Sequence, residues 1–227
     1  MERNSNTPRS ARSAVVYGTA ATPIILYTPD SWEGRLVKEC LELNPGFGKV
    51  VLATCFKELN PLLISYPEAV VVFDMFSGHY AGVYMAKYIQ KNYPAAAMLC
   101  VSEFGYTNFA LIARNYGVMG YMPRSGGIVM LRELLNLLLQ GKAELCLGVR
   151  NSEDLAIEDF LADLTLLRAA PLQVWILAIA DRTVQESSDL MGVSIDAVNI
   201  DRRAIKSHFE ADKLDTVIAV GKSIREH

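Results

Sequence analysis

The sequence predicts an α/β fold: a doubly wound parallel sheet of five βα units, followed by a small all-α domain built around a helix-turn-helix. Three observations predict it. From Ala14 to about Gly141, short apolar runs alternate with amphipathic stretches, the order that a parallel sheet with covering helices requires. The run Val70-Val71-Val72-Phe73 is apolar on both faces and ends in Asp74, as a central strand does when it carries a polar group to the crevice at the carboxyl end of the sheet. Beyond Gly141 the strand-like runs stop, and the pattern becomes helical after a polar, acidic stretch.

Taken in order, the predicted strands are Ile24 to Thr28, Lys49 to Thr54, Ala69 to Asp74, Ala97 to Ser102 and Val118 to Met122. Between and after them, helical periodicity covers Ser31 to Leu43, Phe56 to Ser65, Gly82 to Asn92, Tyr106 to Tyr116 and Ile128 to Gln140. Asn44-Pro45-Gly46, Tyr66-Pro67-Glu68 and Asn92-Tyr93-Pro94 fall between elements, where turn chemistry belongs. Ala14-Val15-Val16-Tyr17 reads either as an extra edge strand or as an extended arm. Residues 1–13 are polar, carry Arg3, Arg9 and Arg12, and read as a flexible tail without the apolar core of an export signal. The first domain is placed at residues 14–141. A linker follows at 142–160, centred on Ala143 to Asp154, and the helical domain occupies 161–227. Its helices are expected at Pro171 to Ala180, Thr183 to Met191, Ser194 to Phe209 and Leu214 to Ile224.

Composition narrows the classes. Half of the 227 residues are apolar and a fifth are charged, which excludes a disordered chain and suits a sheet buried on both faces. The most apolar stretches, Pro23 to Tyr27 and Leu131 to Leu139, fall well short of the ~20 residues that a membrane span needs, so a cytoplasmic location without membrane contact is expected. Cys40, Cys55, Cys100 and Cys146 are too widely spaced for a zinc or redox pair, and His79, His208 and His227 are equally scattered. Reduced, mostly buried thiols and no metal site are expected.

In the helical part, Thr183-Val184-Gln185-Glu186 has the form of a capping box. Gly192 can take the left-handed conformation that ends this helix, and Ser194 can cap the next. Val198, Ile205 and Phe209 then share one inward face, leaving Asn199, Ile200 and Arg203 on another side. The run Glu186-Ser187-Ser188-Asp189-Leu190-Met191-Gly192-Val193-Ser194 resembles the scaffold and recognition helices of the LuxR/NarL-type DNA-binding domain, without a gap from about Leu167 to Val220. That resemblance places Asn199, Ile200 and Arg203 in the major groove and leaves Arg202 and Lys206 for phosphates. Arg suits guanine, Asn adenine and Ile a thymine methyl. The chain departs from the family at Ser187-Ser188, where Ile-Ala is usual and looser packing is expected, and at Asp201, expected to approach phosphates. Residues 151–227 also hold 14 acidic against 8 basic side chains, a net of −6, whereas DNA affinity normally draws on a basic surface. A helical domain for dimerisation or protein contact is the rival reading.

The five βα units resemble the receiver domain of response regulators over about Pro23 to Gly141. By that resemblance Asp74 is phosphoacceptor-like, Gly82 fits the following loop, Ser102 and Tyr121 match the switch pair, and Arg124 replaces the family lysine. Receivers hold Mg²⁺ with an acidic pair after the first strand, where this chain has Tyr27-Thr28-Pro29-Asp30. Loss of one charge partner at about 4 Å removes on the order of 4 kcal/mol at an effective dielectric of ~20. The expectation is therefore no cofactor, with Mg²⁺ binding undermined, and an Arg124–Asp74 pair that holds one conformation without phosphate. Gly78 stands where the family usually has proline, and a more mobile loop is expected there.

These features together resemble an atypical response regulator of the LuxR/NarL family, with a degenerate receiver domain and a LuxR-type helix-turn-helix domain. The resemblance implies a transcription regulator that is not an enzyme. It would bind double-stranded DNA as a homodimer without conventional phosphorylation of Asp74, and a partner regulator or kinase could supply the input. The segments Tyr106 to Tyr116 and Ile128 to Gln140 would serve dimerisation or contact with the DNA-binding domain. Two alternatives stay open at this point: a protein-interaction regulator that does not bind DNA, and a conventional regulator activated by phosphorylation.

Overall fold

The computed structural model describes residues 22–142 and 145–226. The tail read at 1–13, the Ala14–Tyr17 run and His227 lie outside the described residues. The first domain runs β1 (Ile24–Tyr27), α1 (Ser31–Glu42), β2 (Val50–Ala53), α2 (Phe56–Ser65), β3 (Val70–Phe73), α3 (Gly82–Asn92), β4 (Ala97–Ser102), α4 (Thr107–Asn115), β5 (Gly120–Pro123) and α5 (Gly127–Leu139). A short β6 (Leu145–Cys146) joins the edge, giving a parallel sheet of order β2-β1-β3-β4-β5-β6. All five expected βα units are present, with ends that differ by no more than two residues.

Strand alternation divides the core. Ile25, Val71, Phe73 and Met98 face Leu59 and Leu63 of α2, Val83 and Ile89 of α3, and Phe109 of α4. Ile24, Val70 and Leu99 face Leu41 of α1 and Leu134, Leu135 and Leu138 of α5. Because β1 and β3 are buried on both sides, their sequences are continuously apolar rather than alternating. The chain leaves β1 to one side for β2 and returns to the other side for β3, so a crevice opens between the carboxyl ends of β1 and β3.

The segment read as linker contains regular structure. Beyond β6, the amide of Thr107 donates to the carbonyl of Arg150, and the amide of Arg150 donates to the carbonyl of Gly105, both at 2.9 Å. Asp154 then caps α6 (Leu155–Leu164) by accepting from the amides of Ala156 and Ile157. The remaining helices are α7 (Ala169–Ile179), α8 (Val184–Met191), α9 (Ile195–His208) and α10 (Leu214–Glu226). Helix α7 begins two residues before the expected start, because Pro171 lies in its first turn, where a missing amide hydrogen costs no helical bond.

Helix α7 is buried continuously from Pro171 to Ile179, as expected of a helix apolar on all sides. One side packs on α9 and α10, the other on α3. Trp175 lies 6.4 Å from the ring of Phe109 on α4 and 6.1 Å from Phe160 on α6. A single apolar core therefore runs through both domains. Helix α4, within one of the two segments assigned to dimer or domain contact, packs on α6. Among the described residues the cysteines form no disulfide, but the expectation that most are buried fails: Cys100 is buried, Cys40 is half-buried, and Cys55 and Cys146 are exposed.

Candidate functional site

Asp74 stands where β3 ends at the crevice, with its side chain 11% exposed. One carboxylate oxygen accepts from the amide of Phe76 at 2.9 Å. The other lies 3.5 Å from Arg124 Nη2, while Arg124 Nη1 holds both oxygens of Glu33 at 3.0 and 3.1 Å. The expected Arg124–Asp74 contact is thus present, but the guanidinium is held more closely by Glu33. Burial pushes the Asp74 pKa up to about 6, and the nearby charge of Glu103 pushes the same way. The Phe76 amide, the Arg124 charge and the Ser102 hydroxyl oppose the rise.

Ser102 is fully buried at the end of β4. Tyr121 is buried as well, and its phenol donates to the carbonyl of Phe104 at 2.6 Å, so the ring points inward. A residue not anticipated from sequence, Tyr80, clamps the end of β3: its phenol donates to the carbonyl of Asp74 at 2.6 Å and accepts the amide of Asp74 at 2.9 Å. Its ring packs edge-on against Tyr27 at 4.8 Å. No sequence periodicity marks this role, since Tyr80 lies in an irregular loop.

The two glycines of this loop serve close approach. A Cβ on Gly82 would lie 2.3 Å from the carbonyl oxygen of Met75, which explains a glycine where α3 starts beneath the β3–α3 loop. A Cβ on Gly78 would lie 2.1 Å from that of Ala180. The mobility expected of Gly78 is thus replaced by a packing role: the loop is held against the end of α7. Arg182 fastens it, with Nε donating to the Gly78 carbonyl at 2.8 Å and Nη2 lying 3.1 Å from His79 Nδ1. Gln173 of α7 accepts the amide of Val83 at 2.9 Å.

The residues after β1 do not fit a Mg²⁺ site. Thr28 and Pro29 occupy the turn, Asp30 accepts the amide of Glu33 at 3.2 Å, and Glu33 is engaged by Arg124. Among the described residues, no three His, Cys, Asp or Glu side chains come together to hold a metal ion.

The second candidate surface lies on α9. The capping box is formed, with the Thr183 hydroxyl accepting from the Glu186 amide and the Glu186 carboxylate accepting from the Thr183 amide. Gly192 has φ 65° and ψ 34°, and Ser194 accepts the amide of Ala197. Val198 and Ile205 are buried, with Phe209 stacked on Phe160 at 4.6 Å. Ile200 is 56% exposed. Arg203 and Lys206 are also exposed, while Asn199 and Arg202 are half-buried.

Two expectations change here. Asp201 is half-buried and near Arg168, and its charge reaches Tyr84 on α3. Its charge thus lies within reach of the first domain. Burial raises its pKa, and the Arg168 charge partly offsets that. Nor do Ser187 and Ser188 loosen the two helices. Both are buried, and the Ser188 hydroxyl donates to the carbonyl of Val193 at 2.6 Å across the turn.

No protein-family model matches the chain, and no curated protein matches it in sequence. Among solved structures, the RcsB response regulator of Salmonella typhimurium, in a structure concerned with conformational dynamism for DNA interaction, is similar at a TM-score of 0.70 and 14% identity, covering 90% of this chain and 98% of that one. RcsB of Salmonella enterica serovar Typhimurium, bound to promoter rprA with the phosphomimetic BeF3-, is similar at 0.66 and 13% identity, covering 91% and 99%. A two-component response regulator of the LuxR family from Aurantimonas sp. SI85-9A1 is similar at 0.50 and 22% identity, over 56% of this chain and 90% of that one. The RcsB likeness extends over both domains, so this chain has the fold of a two-domain response regulator: a doubly wound receiver-like sheet joined to a helix-turn-helix domain.

Proposed function

We propose that this protein is a DNA-binding transcription regulator and not an enzyme, recognising double-stranded DNA as a homodimer. The observation that carries the reading is α9: a capped helix in a helix-turn-helix, presenting Ile200, Arg203 and Lys206 outward. Arg203 and Ile200 would read base edges with Asn199, while Arg202 and Lys206 would meet phosphates. Further support comes from the fold neighbours, which include an RcsB–DNA complex and two RcsB dimers bound to two parallel DNAs. Among the described residues no helix is long and apolar enough to cross a membrane. Titration of promoter duplexes at several salt concentrations tests the reading. Affinity should fall linearly in log–log form as salt rises, and Arg203→Ala should relax sequence preference. Absence of duplex binding, or indifference to Arg203→Ala, removes it.

Two readings of the input differ in their support. The misfit at the Mg²⁺ position and the Glu33–Arg124–Asp74 chain favour a regulator independent of Asp74 phosphorylation. The similarity to RcsB structures bound to promoters with phosphomimetic BeF3- favours conventional activation, as does an Asp74 placed at the end of β3 with Ser102 beside it. Intact-mass measurement after incubation with acetyl phosphate and Mg²⁺ separates them: one added phosphoryl mass, lost in Asp74→Asn, selects the conventional route.

A further inference from the structure

A cavity of about 360 Å³ opens at the carboxyl ends of β1 and β3, within the size range of small-molecule sites, ~300–1,000 Å³. It lies where the strand order reverses, the usual ligand position in an open α/β sheet. Leu26, Val37, Val72 and Leu131 give it an apolar wall. Asp30 lies at its rim, and the other charged lining residues are Glu33, Asp74 and Glu103 against Arg124 and Arg225, a formal balance of −1 without counting Asp30. Both cations already face carboxylates: Arg124 meets Glu33 and Asp74, and Arg225 Nε reaches Glu103 at 2.5 Å. Among the described residues, an entering anion would meet excess negative charge without a disengaged guanidinium. A cation would complement it.

We propose that this cavity binds a small organic cation, an amine or amidine on an apolar body, with its charged head near Asp74 and Glu103 and its body against the Leu26–Val37–Val72–Leu131 wall. Such a head competes with Arg225 for Glu103. Since Arg225 belongs to α10, occupancy releases a tie between the helix-turn-helix domain and the β4–α4 loop. The site thus supplies an effector class to the proposed regulator. That consequence rests on the regulator reading, whereas the binding itself does not.

The test uses the full chain with 2-phenylethylamine and phenylacetate, which share a skeleton and carry opposite charges. Saturation-transfer NMR and thermal shift read the binding. The amine should bind saturably, and phenylacetate about tenfold more weakly or worse. Glu103→Gln and Asp74→Asn should each weaken amine binding about tenfold, with Glu133→Gln on the exposed side of α5 as the unaffected control. Arg225→Ala should tighten amine binding by removing the competitor, a gain that general damage to the fold would not produce. Absence of saturable amine binding, equal binding of phenylacetate, or indifference to both acidic substitutions overturns the proposal. Duplex binding measured without amine is a separate result, so failure of either reading is distinguishable from failure of the other.

Discussion

Arg182 donates through Nε to the carbonyl of Gly78 at 2.8 Å, tying the loop that follows β3 to the connection that leads into α8. Just before it, Ala180 occupies the space that a side chain on Gly78 would fill. The environment of Asp74 and the position of the helix-turn-helix domain are therefore linked through five residues of backbone, from Asp74 to Gly78, and one guanidinium.

Gly78→Ala should separate the domains without unfolding either. The added methyl would fall 2.1 Å from the Ala180 Cβ, and overpacking of this kind costs about 1–3 kcal/mol. Its backbone is outside the left-handed region, so no conformational strain is added. Small-angle scattering should show a larger radius of gyration for Gly78→Ala, with Gly105→Ala, whose Cβ has only an ordinary contact at 3.7 Å, as control. An unchanged radius would show that the loop yields instead.

Gly82→Ala should be more damaging, because the obstacle is backbone. The new Cβ would meet the Met75 carbonyl oxygen at 2.3 Å and its carbon at 2.8 Å, so α3 or β3 has to shift. A loss of about 2 kcal/mol or more is expected, read as a lower urea midpoint with an unchanged slope.

Asp74 should make stability fall as pH rises from about 4 to above 6. Its folded pKa of about 6 is above its ordinary value of 3.8, so the folded state holds the proton more tightly than the unfolded one. Ionisation therefore costs stability, absent below the unfolded pKa and complete above the folded one, on the order of 3 kcal/mol. Asp74→Asn keeps an acceptor for the Phe76 amide and avoids that cost. Urea unfolding should find the variant more stable than the parent at pH 8, with the difference shrinking toward pH 4. A constant difference across that range would contradict the assignment.

Ser188→Ala should weaken the helix-turn-helix turn by about 1–3 kcal/mol, because it strips a partly buried carbonyl of its donor. Thermal melting should show the loss, and duplex affinity should decline with it as α9 loses its fixed angle to α8. If Ser188→Ala melted with the parent, the hydroxyl would have no structural part.

The sheet was legible because burial on both faces leaves a local record: runs such as Val70-Val71-Val72-Phe73 can satisfy their apolar surface in few other ways. The cap signals at Thr183, Gly192 and Ser194 were equally local, each depending on a neighbour within four residues. Helix α6 and strand β6 were less legible. The acidic residues that suggest a linker include the Asp154 cap of α6, and β6 is fixed by pairing with β5, more than twenty residues earlier.

By itself, the sequence determined the fold class, the order of the five βα units and of α7 to α10, and the positions of Asp74 and Arg203, since these follow from period, spacing and caps within short windows. The tertiary structure alone decided that Tyr80 clamps the backbone at the end of β3, that Gly78 admits Ala180, and that the charge of Asp201 comes within reach of Tyr84 on α3. Each depends on which surfaces meet across the domain boundary or around an irregular loop. Such contacts join residues whose proximity is set by packing of the whole chain, and no local pattern records them.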